Sequence, residues 1–173
     1  MKNLKKFVAL LLAGVMAMVM LTACSGGTTA DTEKEEAIRK QLGKRTEATS
    51  LCDRDGKVEN DSQLYKETAK LLDARIKAET SALGILAVDF DVKGIDPVEQ
   101  YVTVTLSADY KTAGLVAGLI TKITEKLGKI ESTNNSVKLD TEWAKAAVVV
   151  RTNEKGSYAA IAIQVKNIAY KGK

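Results

Sequence analysis

Regular alternation of apolar and polar residues in two neighbouring stretches predicts a pair of β-strands. The first stretch is Ile85–Val92 and the second is Gln100–Ala108. Each strand therefore has one apolar face and one polar face. The intervening segment, Lys93–Pro97, contains a proline, which suits a loop. The apolar faces consist of Leu86, Val88, Phe90 and Val92 on the first strand and of Val102, Val104, Leu106 and Ala108 on the second.

The polar faces of this strand pair give the first candidate site. An antiparallel register that pairs Val88 with Val104 brings both apolar faces to one side of the sheet. Strand residues two apart share a face, so two carboxylates on the polar side can share a cation or a sugar hydroxyl. The alternative interpretation is an ordinary solvated strand face. The candidate ligand-binding face consists of Asp89, Asp91, Tyr101 and Thr103.

Apolar residues at three- and four-residue spacing predict two helices before the strand pair. A short helix begins at the capping box Thr32-x-x-Glu35 and ends near Gly43. A stronger helix begins at Asn60 and runs to about Ser81. Its apolar stripe consists of Tyr65, Ala69, Leu72 and Ile76.

A long helix is predicted over Tyr110–Ile130, and Gly114 and Gly118 lie inside it. Each glycine costs about 1 kcal/mol relative to alanine in a helix interior, so close packing should compensate. Small residues at this spacing let another backbone approach. That backbone belongs either to the domain's own sheet and helices or to a second copy. Gly114 and Gly118 are therefore candidate self-association residues.

The C-terminal third predicts a final hairpin made of Trp143–Arg151 and Tyr158–Val165, with Val137–Asp140 as a candidate short edge strand. The predicted fold class is α+β. Two N-terminal helices precede a β-β-α-β-β unit, and the hairpins form a four-stranded, mostly antiparallel sheet. The helices are expected to pack mainly on one face of that sheet.

The N-terminus has a different pattern. Three lysines precede a 15-residue apolar run, Phe7–Leu21, which is shorter than the roughly 20 residues of a spanning helix. The run ends in Leu21-Thr22-Ala23-Cys24. This segment resembles a bacterial lipoprotein signal peptide, with that tetrapeptide as its lipobox. The resemblance implies cleavage after Ala23, a diacylglyceryl lipid such as palmitate on Cys24, and attachment to the extracytoplasmic face of the cell membrane. The alternative is an uncleaved membrane helix with an incidental cysteine.

These features predict three regions. Residues 1–23 are the cleaved signal peptide, residues 24–31 are the lipidated cysteine and a flexible Ser/Gly/Thr-rich tether, and residues 32–173 are a single domain. Three of the 26 basic residues lie before Cys24, so the mature chain has 23 basic and 22 acidic residues. A net charge of +1 gives no argument for a nucleic-acid partner.

Cysteine and histidine content limits the available chemistry. If Cys24 carries lipid, Cys52 has no partner in its own chain. Cys52 is then a small buried side chain, an intermolecular disulfide or a reactive thiol. The chain contains no histidine, which excludes imidazole-based metal sites and triads. Asp53–Gly56 fails as an EF-hand because Leu51 and Ser62 stand where carboxylates are required, so a turn is predicted and another kind of calcium site stays open.

No motif for nucleophilic catalysis or phosphate binding is present in the mature chain. Trp143, Tyr101 and Tyr158 are either an exposed aromatic patch or rim and core residues. We expect a non-catalytic, membrane-anchored extracytoplasmic binding or envelope-interaction module. Its partner would be an envelope protein or glycan, with no cofactor, no metal and a monomeric or weakly dimeric state. The alternatives are a hydrolase that uses carboxylates such as Asp89 and Asp91, and a structural subunit that assembles through Gly114 and Gly118.

Overall fold

The computed structural model describes residues 28–79, 88–113 and 116–172. The predicted α+β class is confirmed, with helices and an antiparallel sheet in one chain. A 3-10 helix, Thr46–Leu51, follows the first α-helix. In chain order the other elements are β1 (Thr29–Ala30), α1 (Thr32–Leu42), α2 (Ser62–Glu79), β2 (Asp89–Ile95), β3 (Val98–Asp109), α3 (Tyr110–Ala113), α4 (Val116–Thr133), β4 (Leu139–Asn153) and β5 (Gly156–Asn167).

The sheet has five strands in the order β1-β4-β5-β3-β2, so the predicted count of four was wrong. The additional strand is β1, a two-residue element in which Thr29 pairs with Thr152 and Ala30 with Arg151. Two residues are too few to show alternation, and both fall in the predicted tether. The described chain thus opens on a strand, and the 3-10 helix separates α1 from α2. The predicted order that opened on two helices is corrected accordingly.

The hairpin of β2 and β3 has the predicted direction but a different register. Val104 pairs with Val92 instead of Val88, a displacement of four residues. The strands extend to Ile95 and Val98 around a two-residue turn, where a five-residue loop was predicted. An even displacement keeps the apolar side chains on the same face. The predicted strand residues before Val88 lie outside the described residues.

The final hairpin is confirmed, and both of its faces are buried. One face packs against α1, α4 and the 3-10 helix through side chains such as Ile38 and Ile123. The residues that the hairpin contributes to this core are Trp143, Ala146, Val148, Val150, Ala159, Ile161, Ile163 and Val165.

Helix α2 covers the opposite face of the sheet. Its predicted apolar stripe is confirmed, since Leu72 and Ile76 are buried and Tyr65 packs beside them. The sheet residues beneath this helix are Ala147, Val149, Tyr158, Ala160 and Ala162. The expectation that helices lie mainly on one face was therefore wrong. A sheet with helices on both faces needs strands that are apolar on both sides.

The outer edge of β4 is closed by polar groups from the N-terminal third of the chain. The Asn60 side chain makes the two hydrogen bonds that a neighbouring strand would make. Its Oδ1 accepts from Val148 N at 2.8 Å and its Nδ2 donates to Val148 O at 3.3 Å. The backbone N–H of Asp61 donates to Ala146 O, and that of Asp31 to Val150 O. Backbone groups of β4 that already have hydrogen-bond partners cannot pair with an additional strand.

Replacing Asn60 by alanine is expected to lower the free energy of unfolding by about 1–3 kcal/mol, because the backbone N–H and carbonyl of Val148, a residue that is 0% exposed, both lose their partner. Denaturant unfolding measures the loss, and amide exchange at Val148 should accelerate. Gln63→Ala, at an exposed position of α2, is the control and should leave both quantities unchanged. Unaltered exchange at Val148 in the Asn60 variant would contradict this account of the edge.

Candidate functional site

The structure brings only two of the four residues of the predicted ligand-binding face, Asp91 and Thr103, to one pocket. The register places Asp89 opposite Ser107 and Asp91 opposite Thr105. Tyr101 and Thr103 lie nearer the start of β3, opposite Lys166 and Gln164 of β5. Thr105 is buried, and Asp91 and Thr103 line a narrow gap against α2. The face is therefore partly covered by a helix and is not one open patch.

Asp89 is held in an ion pair at the α2 end of this face. Arg75 Nη2 lies 2.9 Å from Asp89 Oδ2, and Arg75 Nη1 donates to Ser107 Oγ at 2.8 Å. Thr103 Oγ1 accepts from Gln164 Nε2 at 3.1 Å. These contacts fasten the polar side of β2 and β3 to its neighbours.

The candidate self-association pair is only partly described. Gly118 lies in α4 and is exposed, and a Cβ atom added there would meet nothing within 4 Å. Gly118 therefore does not serve close packing within the domain, and a role in assembly stays a prediction. Gly114 and the lipidation residue Cys24 lie outside the described residues.

The three aromatic residues considered together are separated. Tyr158 is 1% exposed under α2, and Tyr101 is 36% exposed on the same face of the sheet. Trp143 is 5% exposed and belongs to the core on the opposite face. The three residues therefore do not form an aromatic patch, but Trp143 lines a groove.

Trp143 lies at a groove between α4, the 3-10 helix and the first residues of β4. The groove has a volume of about 230 Å³. Its apolar part consists of Leu127, Leu139, Trp143 and Val165, and three carboxylate residues, Glu47, Glu131 and Asp140, line it as well. Thr124, Gly128 and Thr141 complete the lining.

Gly128 keeps one wall of this groove open. A Cβ atom added at Gly128 would meet nothing within 4 Å. Glycine in a helix interior costs about 1 kcal/mol relative to alanine, and here no packing contact compensates. A larger side chain at this position would therefore fill the groove without displacing the core.

The carboxylates of the groove are already engaged in hydrogen bonds. Arg45 Nη2 donates to Glu47 Oε1 at 2.7 Å, and this bond holds the pKa of Glu47 below its ordinary value. Glu131 Oε1 accepts from the backbone N–H of Leu139 at 3.3 Å. Asp140 Oδ1 accepts from the N–H of Thr141 at 2.8 Å. The lowered pKa makes Glu47 a fixed negative charge that is poorly suited to donate a proton.

A larger hollow of about 540 Å³ lies along the exposed side of α1. Its lining is charged except for Ala37, and it includes Glu33, Glu36, Lys40, Asp55 and Lys57. Ligand pockets are mostly apolar with a few placed polar groups. The smaller Trp143 groove fits that description better, so we take it as the candidate site.

Other predicted features have structural explanations. Asp53 Oδ1 accepts from the N–H groups of Asp55 and Lys57, both at 2.9 Å, which confirms the turn. Cys52 is half-buried and its thiol donates to Ala48 O at 3.3 Å. Within the three described segments, no group of three metal-ligating side chains could hold an ion, and no helix is long and apolar enough to cross a membrane.

Comparison of the chain with protein family models, curated proteins and solved structures found no match. Of the residues that line the groove, the sequence alone indicates Trp143 but not the three carboxylates. One signal was available, because Gly128 is a third glycine inside the predicted long helix.

Proposed function

We propose that this chain is an extracytoplasmic lipoprotein, anchored by a diacylglyceryl lipid on Cys24, that acts as a non-catalytic binding module through the Trp143 groove. The Leu21–Cys24 lipobox supports the anchor. A lipid with two acyl chains gives stable attachment, because each buried methylene contributes about 0.8 kcal/mol. The observation that carries the binding function is the groove itself, an apolar hollow lined by carboxylates.

The groove suits a ligand that combines a small apolar body with a positive charge. Its volume of about 230 Å³ lies below the roughly 300–1,000 Å³ of pockets for drug-sized molecules. A hollow of that size fits one side chain or one sugar ring. The ligand would be a lysine-bearing segment of an envelope protein or an amino sugar of an envelope glycan, since both offer an ammonium group to the carboxylates.

The anchor is tested by intact mass measurement of the full chain expressed in a bacterium that processes lipoproteins. We expect loss of residues 1–23 and the added mass of a diacylglyceryl group on Cys24. The Cys24→Ala variant should keep its full length and carry no lipid. A processed but unlipidated wild-type chain would overturn the anchor.

Binding is tested through the fluorescence of Trp143, the only tryptophan in the chain. The lipidated protein in vesicles is titrated with a lysine tetrapeptide and with a glucosamine oligomer. Their acetylated forms, which lack the charge, serve as controls. We expect a saturable change in emission with at least one charged probe and none with its acetylated form. No saturable change with either probe would contradict the proposal, and a shortened glucosamine oligomer would favour the hydrolase alternative.

Filling the groove should abolish this signal. Gly128→Leu is expected to weaken binding by at least a factor of ten, about 1.4 kcal/mol. Gly118→Leu makes the same change at an exposed position of the same helix and should bind as the wild type does. Both variants should stabilise α4, because leucine favours a helix more than glycine does. Equal binding by the two variants would place the ligand elsewhere.

A further inference from the structure

The chain enters the fold at one end of the sheet. Thr29 pairs with Thr152, and the backbone N–H of Asp31 donates to Val150 O at 3.2 Å. Thr28 Oγ1 donates to Asp73 Oδ1 at 3.3 Å. The first described residues are thus fastened beside the turn that joins β4 to β5.

Only three residues separate Cys24 from Thr28. Four residue steps of fully extended chain span at most about 14 Å. A lipid on Cys24 would therefore keep the end of the domain at Thr28 close to the bilayer surface. A tether of this length cannot carry the domain far from the membrane or let the opposite end take its place.

The Trp143 groove lies at the opposite end of the same sheet. Strand β4 begins at Leu139 in the groove and reaches Thr152 beside β1. Nine residue steps of strand separate Trp143 from Thr152, a distance of about 30 Å at the usual rise per residue. The turn between β2 and β3 lies at this distal end too, since Tyr101 pairs with Lys166 and Leu139 with Asn167.

We propose that the end of the domain formed by β1 and the β4–β5 turn faces the bilayer, and that the Trp143 groove opens away from it. This inference rests on the proposed lipid anchor. The charge of the groove supports the direction, because Glu131 and Asp140, which bond to neutral backbone N–H groups, would be repelled by an anionic lipid surface if the domain lay on that side. Glu47 adds little to this repulsion, since Arg45 pairs with it. The groove then takes its ligand from the envelope space and not from a lipid headgroup.

The orientation is tested by energy transfer from a thiol-linked fluorophore to a labelled lipid headgroup. The mature lipoprotein is reconstituted in phosphatidylglycerol–phosphatidylethanolamine vesicles in a Cys52→Ser background, where lipidated Cys24 has no free thiol. Glu154→Cys places the fluorophore in the β4–β5 turn, and Asp96→Cys places it in the β2–β3 turn. Both positions are exposed acidic residues in turns, so the pair is matched. We expect transfer to be severalfold more efficient from position 154.

Equal transfer from the two positions, or more from position 96, would overturn the orientation. Lengthening the tether with a twenty-residue Gly/Ser insert after Ser25 should weaken the difference while leaving the lipid in place. A difference that survives this insert unchanged would mean that the tether does not set the orientation. Absence of the lipid in the intact mass would refute the anchor itself, so failure of the proposed function is distinguishable from failure of this inference.

Discussion

Replacing Leu72 by alanine is expected to lower the free energy of unfolding by about 2–5 kcal/mol, the largest loss among the substitutions considered. Leu72 is 0% exposed and packs with Val149, Tyr158 and Ala160 between α2 and the sheet. Truncation removes apolar burial and leaves a cavity in a layer that cannot collapse onto a rigid sheet. Urea denaturation of the mature full chain in detergent measures the loss.

Leu71→Ala is the matched control for this measurement. Leu71 precedes Leu72 on the same helix but is only half-buried, so the change in helix propensity is identical and the change in burial is smaller. We expect the Leu71 variant to lose less than half as much stability. Similar losses in the two variants would mean that α2 does not pack on the sheet in this register.

The faces of the strands were predictable from the sequence, whereas the exact pairing of β2 with β3 was not. Alternation determines which side chains share a face, and the apolar positions of β3 together with Phe90 and Val92 of β2 pack on the core as expected. Val88 precedes β2 and is exposed, and Leu86 lies outside the described residues. The register depends on the length of the turn, and a displacement of four residues leaves every side chain on its face. A two-residue turn that contains Pro97 gives no signal that separates it from a longer loop.

The second helical layer has a signal in the sequence that is separate from the alternation of β2 and β3. Ala146–Val150 and Tyr158–Ile163 are uninterrupted apolar runs, which are typical of strands buried on both faces. Val148, Val150 and Ile161 lie on one face of these strands, in the core shared with α1 and α4. The neighbouring residues on the other face, such as Val149, required the cover that α2 provides.

The closed edge of β4 and the acidic lining of the Trp143 groove could not be predicted, because both arise from contacts between distant parts of the chain. Glu35 and Val150 form a hydrogen bond although they are 115 residues apart in the sequence. Asn60 and Val148, which also form one, are 88 residues apart. The predicted capping box Thr32-x-x-Glu35 does not form, for the same reason. Asp31 caps α1 by accepting from Lys34 N, while Glu35 turns to the sheet instead of back to the helix start.

Glu35 is the second residue at which a large effect is expected. Its Oε1 accepts from the N–H of Val150 at 2.9 Å and from the hydroxyl of Tyr65 at 3.0 Å, and Arg151 Nη1 lies 3.8 Å away. Glu35→Ala removes the acceptor and leaves buried donors without a partner. We expect the free energy of unfolding to fall by about 2–3 kcal/mol. Arg151 keeps Asp73 as its partner at 3.1 Å, so its charge stays paired.

Glu35→Gln separates the hydrogen bonds from the charge. The glutamine Oε1 can accept from both donors, so this variant should retain most of the stability that alanine loses. Burial raises the pKa of Glu35 above its ordinary value of 4.5, and this outweighs the hydrogen bonds from Val150 and Tyr65 and the charge of Arg151. The folded protein thus holds the Glu35 proton more tightly than the unfolded chain does.

The raised pKa fixes the direction of the pH dependence. The stability that protonated Glu35 contributes is fully present below pH 4.5 and is lost as the pH rises through the folded-state value. Glutamine does not titrate, so the stability of the Gln variant relative to the wild type should increase with pH across that window. Urea denaturation of both proteins at a series of pH values measures this difference. A difference that falls as the pH rises would show that Glu35 is stabilised as the carboxylate, and a difference that is flat with pH would show that its hydrogen bonds balance its burial; either result would contradict the raised pKa.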